Sequence, residues 1–263
     1  MAAAALASRI PLLNSRRSNS AAVCGLAFDE LGGPLVAVCG LVGGSGASTL
    51  ALCLARQAAR DSAALVLLTE LGAGSAGLAV LAGRATSLCL RGLAQQVAEG
   101  QVPARSFVEL EPRLRLLASV PRRPAESEPE HVGALLRDAR AAHGLVIVDC
   151  GTDRAASGPV LNEASHIVWA LPATCAALSC AQFLLASDLL PQPGPWFELL
   201  AATALDRCST ASVRALRHLA RQRCERLVLI PHSEALAHGD VAHGSDDLSR
   251  ALTGLAPILR RGR

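Results

Sequence analysis

Apolar positions along the chain fall into two alternating patterns. Short continuous runs read as buried strands: Leu35–Gly40 (LVAVCG), Leu65–Thr69 (LVLLT), Leu114–Val120, Leu145–Asp149 (LVIVD), His166–Leu171, Leu199–Ala204 and Leu227–Ile230. Between them lie stretches with helical spacing over Ser48–Arg60, 86–99, His131–Ala142, 174–189, 210–222 and 246–256. The third of these places Val132, Leu135, Leu136, Ala139 and Ala142 on one side. Residues 71–85 are rich in glycine and alanine, and Pro121–Pro129 is a charged, proline-rich loop. Strands this continuously apolar, alternating with helices, predict an α/β fold: a doubly wound, mostly parallel sheet with helices on both faces. No repeat or linker divides the chain, so a single domain is expected over 34–263. Residues 1–33 read as a disordered tail; its first part is Ala/Ser/Arg-rich and has no acids, but its arginines follow the apolar residues, unlike a secretory leader. In such a sheet ligands bind beyond the carboxyl ends of the strands. The loop after Gly40, Glu70 and Asp149 should converge there.

Composition narrows the chemistry. Hydrophobic residues make up 51% and charged ones 18%, enough for a large core, and with 2% aromatics that core must be aliphatic. So few aromatics argue against a base-stacking surface, and a net charge of +3 is too small to imply a polyanion, so nucleic acid is not an expected partner. All 25 basic residues are arginine; there is no lysine and no tyrosine. These absences exclude a P-loop lysine, a Schiff-base lysine and a Tyr/Lys dehydrogenase pair. The nine cysteines are widely spaced without a CxxC pair, which reads as reduced thiols in a cytoplasmic protein. Cys175 and Cys180 lack the histidines that would complete a zinc site.

The richest local signal is Gly40-Leu41-Val42-Gly43-Gly44-Ser45-Gly46-Ala47-Ser48-Thr49. Its glycines let backbone N–H groups approach a phosphate, and the helix that follows adds its positive end. Two spacings fit a Rossmann dinucleotide loop, with Glu70 at the end of the second strand as the ribose acid. The short-chain dehydrogenases are excluded by the missing Tyr and Lys, but other Rossmann proteins are not. The second reading is a P-loop: Gly46 and Ser48 keep the glycine and the hydroxyl, while Ala47 stands at the lysine position. Leu145–Asp149 then has the form of a Walker B strand, four apolar residues and an acid that can order magnesium.

The stretch VGGSGASTLALCLA resembles the deviant P-loop of the ParA/MinD family, particularly its CpaE/TadZ and septum-site-determining-like branch. LVIVDCGT, HIVWALPAT and VLIPHSEALAHG, in that order, are similar to later motifs of the family, so the likeness spans roughly 34–257. It implies that Gly43, Gly44, Ser45, Gly46 and Ala47 cradle phosphates, with Thr49 on the α-phosphate. Ser48 and Asp149 would face magnesium. Glu70 stands where the family has the first acid of a D-x-D motif, Gly72 replaces the second, and both Glu70 and Asp149 become catalytic candidates. Asp206 falls near the adenine-reading position. The cofactors implied are ATP or ADP with Mg. Implied too are a homodimer, partners in division or in pilus and secretion machinery, and peripheral contact with the inner face of the membrane.

The departures weaken the catalytic part. Val42 replaces the family's signature lysine and Ala47 the P-loop lysine. Loss of such a charge-assisted contact costs on the order of 2–4 kcal/mol. The expectation is therefore a degenerate Walker A loop that binds ATP weakly and acts as a spatial regulator. Three alternatives stay open: an active ATPase with an arginine (Arg84 or Arg154) in place of lysine, a Rossmann-type dinucleotide binder, and a nucleotide-free scaffold.

Other clusters read as ordinary structure. His232, His238 and His243 are spaced as loop histidines, and Cys150 as a buried thiol. Leu248, Leu252, Leu255 and Leu259, followed by Arg260, Arg261 and Arg263, form an amphipathic end. A helix packed on the sheet is favoured over a membrane contact there, because Pro257 interrupts the pattern. Arg214, Arg217, Arg221 and Arg223 form a basic stretch that reads as a solvated face.

Overall fold

The computed structural model describes residues 32–259, apart from 73–76, 102–105, 120–127, 187–189, 191–196, 204–209 and 235–245. The tail expected over 1–33 lies almost wholly outside the described residues. So do Asp206, His238, His243 and the arginines after 259.

Eight strands form one sheet: β1 (Leu35–Gly40), β2 (Val66–Glu70), β3 (Val108–Glu111), β4 (Leu114–Leu117), β5 (Leu145–Gly151), β6 (His166–Pro172), β7 (Phe197–Thr203) and β8 (Arg226–Ile230). Their order is β3-β4-β2-β5-β1-β6-β7-β8. Every pairing is parallel except β3 with β4. The helices are α1 (Ala47–Asp61), α2 (Gly77–Ala82), α3 (Leu90–Ala98), α4 (Pro129–Ala142), α5 (Arg154–Glu163), α6 (Cys175–Ala186), α7 (Thr210–Arg223) and α8 (Asp246–Leu259).

Alternate residues of each strand bury opposite ways, as a doubly covered sheet requires. In β1, Leu35, Ala37 and Cys39 join a core closed by α3, α4, α5, α6 and α7. Val36 and Val38 join a second core closed by α1, α2 and α8. Both are built mainly of aliphatic side chains, as the composition predicts, with Trp169 an aromatic exception in the first. Leu248, Leu252 and Leu255 of α8 are buried against α1 and β8, so this helix packs on the sheet. The helix continues past Pro257 to Leu259.

Three local expectations change. The helix foreseen over 86–99 begins only at Leu90, because Thr86 is held beside the sheet: its N–H donates to the Ala118 carbonyl at 2.7 Å. The strand at 114 is the second arm of a hairpin whose first arm, β3, is half-exposed and charged (VELE) and carries no apolar run. Helices α2 and α5 were not foreseen; α5 contains Pro159 and starts from an Asp153 cap that accepts from the Ala156 N–H at 3.0 Å.

The largest buried side chain, Trp169, anchors a polar cluster inside the first core. Its Nε1 donates to Glu198 Oε2 at 2.6 Å. Arg223 donates to both Glu198 oxygens, at 2.7 and 3.0 Å, and its guanidinium lies 5.6 Å from the Trp169 ring centroid. This fork neutralises a carboxylate that has lost its water. Arg223→Ala is expected to lower unfolding stability by about 3 kcal/mol, read by urea denaturation, because Glu198 would stay buried without its guanidinium. Arg223→Lys should recover only part of the loss, since an ammonium cannot make the two-pronged contact.

Candidate functional site

The site follows from the place of β1. With β5 on one side and β6 on the other, β1 marks the point where the strand order turns outward in both directions. A crevice opens above its carboxyl end. Leu41 makes the last ladder bond, donating to the Ala170 carbonyl at 2.9 Å, and the chain then leaves the sheet. Close packing holds the turn: a Cβ on Gly40 would come within 2.4 Å of Ser45 Oγ and 2.9 Å of Thr152 Cγ2. Ser45 is buried while Gly43 and Gly44 are exposed at the lip.

Gly46 is the N-cap of α1, with φ of +79°, a left-handed conformation open to glycine at little cost. It brings no side-chain cap, and the first turn of α1 has no acid. Leu50 donates to the Gly46 carbonyl at 2.8 Å, so the helix is regular from its first turn. Its leading N–H groups are left without a side-chain cap, in an arrangement suited to an anion. Ala47 is buried at the lysine position, and Ser48 and Thr49 are half-buried.

Two acids stand beside this turn. Glu70, the last residue of β2, and Asp149, two residues before the end of β5, are register partners; β5 runs on to Gly151, past the strand end foreseen at Asp149. Both acids are buried, at 4% exposure each. Asp149 Oδ1 accepts from the Gly151 N–H at 3.0 Å. Burial raises its carboxyl above the ordinary range, opposed by hydrogen bonds from the Ser48 hydroxyl and Gly151. Glu70 Oε2 accepts from the Leu78 N–H at 3.3 Å, while its Oε1 is buried with no hydrogen-bond partner. Burial, then the neighbouring Asp149 charge, pushes Glu70 up to about 7, against a small opposing effect of the Leu78 N–H. The predicted convergence of the glycine loop, Glu70 and Asp149 is therefore present, with Ser48 on the Asp149 side of the loop helix.

The two candidate arginines separate. Arg154, at the start of α5, donates from Nη2 to the Leu41 carbonyl at 2.8 Å. Arg84 is exposed after α2, where its backbone N–H donates to the Ala79 carbonyl at 3.2 Å, and among the described residues its side chain makes no hydrogen bond to the loop. Two neighbours had no sequence signal of their own. Arg91 packs its Cδ 3.2 Å from where a Gly72 Cβ would lie, so it fills the space beside the missing second acid. Thr203, at the end of β7, comes 3.7 Å from a Cβ built on Gly46. Both were findable only as residues at carboxyl strand ends or beside them. Cys150 is a buried thiol raised well above the ordinary range by its hydrogen bond with Cys39 and by burial, which suits packing and not nucleophilic attack.

The Rossmann reading fails on topology. That arrangement sets the second strand directly beside the first. Here β5 lies between β1 and β2.

No protein-family model matches the sequence, and no curated protein matches it either. Solved structures do match in fold. A ParA family ATPase from Chlorobium tepidum TLS superposes with a TM-score of 0.68 at 18% identity, over 86% of this chain and 98% of that one. The MinC:MinD cell division complex of Aquifex aeolicus gives 0.66 at 16% identity, over 86% and 95%. Cobyrinic acid a,c-diamide synthase from Mycobacterium smegmatis, with bound ATP analog and magnesium, gives 0.64 at 20%, over 86% and 94%. The chain has the fold of the ParA/MinD-type P-loop ATPases.

Proposed function

We propose that the crevice above β1 binds ATP or ADP with Mg through a degenerate Walker A loop, and that the protein acts as a ParA/MinD-like spatial regulator. The observation that carries this reading is the juxtaposition beside one helix start: an N-terminus without a side-chain cap, and next to it the buried, register-paired acids Glu70 and Asp149, with Ser48 of the same helix turn near enough to oppose the rise of the Asp149 carboxyl. The backbone of Gly43, Gly44, Ser45, Gly46 and Ala47 would hold the phosphates, with Thr49 beside them. Ser48 and Asp149 would hold Mg, and Glu70 would face the same ion or its water. Magnesium supplies charge neutralisation on the phosphates. The orphaned Glu70 Oε1 and the raised carboxyls fit such an ion, because a divalent cation would satisfy both buried acids at once.

Ala47 is what limits the chemistry: nothing cationic stands at the lysine position, so binding is weak and turnover slow. The septum-site or CpaE/TadZ-type role rests on the sequence likeness. Partners in division or in pilus and secretion machinery, and a homodimer, are inferred from that likeness and from relatives such as the MinC:MinD complex. Cytoplasmic placement and a peripheral contact at the inner membrane face belong to the same reading. Among the described residues no helix is long and apolar enough to cross a membrane. One observation favours the alternative of an active ATPase: the Arg154 guanidinium already touches the loop.

Calorimetry should show weak, Mg-dependent binding of ATP or ADP. Ala47→Lys should tighten it by about 30-fold or more, the equivalent of about 2 kcal/mol. ATP hydrolysis at an ordinary ParA rate, abolished by Asp149→Ala and by Arg154→Gln, would instead establish the arginine-assisted ATPase. No binding of any nucleotide would leave the scaffold reading, and preference for NAD(H) would overturn the proposal.

The pH response has a definite sign. Glu70 has an ordinary value of 4.5 and a folded value of about 7. Across that window the folded state keeps a proton that the unfolded state has released. This contribution to stability is full below about 4.5 and is lost as pH rises through about 7. Buried Asp149, also raised, acts in the same direction. Thermal unfolding without nucleotide should therefore show a stability loss from pH 5 to 8 that flattens in Glu70→Gln. Magnesium competes with the same proton, so Mg·nucleotide affinity should rise over this range in the wild type and less in Glu70→Gln.

A further inference from the structure

Helices α6 and α7 present a surface that the nucleotide site does not use. α6 (CAALSCAQFLLA) contains no charged residue. Its inner side buries Ala177, Leu178, Ala181 and Leu184. Its outer side exposes Cys175, Ala176, Ser179, Cys180, Gln182 and Phe183, none of them charged, and Phe183 is 67% exposed, one of three exposed large apolar side chains among the described residues. Ala176, Ser179 and Phe183 are spaced to lie one above another over about two helical turns.

α7 (TASVRALRHLARQR) contains no acid. It buries Leu216, Leu219 and Ala220 and exposes Arg214, Arg217, His218 and Arg221. Arg223 turns inward to Glu198, but among the described residues Arg214, Arg217 and Arg221 have no acidic partner. Such a row is electrostatically unbalanced, and its guanidinium groups suit carboxylates.

Topology places the two rows together. α6 follows β6 and α7 follows β7, strands that run parallel, so the helices run the same way. They pack side by side and close the same core. Their outer sides thus form one surface, an apolar track beside an arginine row at roughly the 8–10 Å spacing of packed helices. Phe183 is the ninth residue of α6, and Arg217 and Arg221 are the eighth and twelfth of α7, so each row extends into the middle of its helix.

We propose that this surface docks an acidic amphipathic helix of a protein partner. Its apolar stripe would cover Phe183 and the small residues Ala176, Ser179 and Cys180, which allow a close approach. Its flanking carboxylates would meet Arg214, Arg217 and Arg221. The match is to a helix because both rows rise with helical spacing over about two turns. A bilayer would find a single large apolar side chain to bury, and a nucleic acid would find no use for the neutral track beside the arginines.

The test uses the full-length protein and a labelled 20-residue helical peptide with leucines on one stripe and glutamates on its flank, read by fluorescence anisotropy. Micromolar binding that weakens with salt is expected. Phe183→Ser and the double change R217E/R221E should each weaken it at least tenfold without altering the thermal midpoint or nucleotide affinity. A peptide with lysines for the glutamates should bind the R217E/R221E protein and not the wild type. The proposal is overturned if the acidic peptide does not bind, or binds all variants alike. It is also overturned if phosphatidylglycerol vesicles or a 20-base-pair duplex capture the protein through Phe183 and these arginines while the peptide does not.

Discussion

Both edges of β1 are consumed by parallel ladders, one to β5 and one to β6, and the rest of the site depends on that. A strand paired on both sides leaves its chain no lateral exit, so after the Leu41 bond to Ala170 the backbone must rise out of the sheet. The following helix must then return over one face, and the glycine loop makes that reversal in a few residues. Because chains from β5 and β6 depart from the same rim, the crevice they leave is lined by strand ends, with the amino end of α1 aimed across it.

The electrostatics of this crevice are one-sided. Glu70 and Asp149 are brought together by strand register; burial raises both carboxyls, and the Asp149 charge adds to the rise at Glu70. Positive potential comes from backbone N–H groups at the start of α1 and from Ser48 and Gly151 as neutral donors. Arg154, the arginine bonded to the loop among the described residues, spends a donor on the Leu41 carbonyl. Both acids accordingly hold their protons more tightly than free carboxyls do. Protonation and stability are thereby linked through the same two side chains.

The legible parts of the fold were those where local pattern and tertiary environment agree. β1 was foreseen residue for residue, because a strand buried on both faces must be apolar throughout. α1 was foreseen within a residue at each end, since alanine and leucine propensity coincides with its buried face. The hairpin was not: β3 is charged and half-exposed at the sheet edge, and its turn has Arg113 at φ of +70°, a conformation nothing in that side chain announces. α5 was hidden by Gly158 and Pro159, which propensity assigns to a loop and which the Asp153 cap and the buried Val160 and Leu161 override.

For the site, the sequence by itself determined the ingredients: a glycine-rich turn between strand and helix, a hydroxyl on that helix, an acid ending each of two strands, and the absence of lysine. Those are local facts, set by residue type and spacing. Only the tertiary structure decided that β5 inserts between β1 and β2, which puts Glu70 beside Asp149 and removes the dinucleotide-binding arrangement. It also chose Arg154 over Arg84 as the arginine at the loop, and set the neutral track of α6 beside the arginines of α7. The physical reason is that strand order and helix neighbours are fixed by hydrogen bonds and packing between residues far apart in the chain. Periodicity along the chain shows which side of an element is buried, but not what it is buried against.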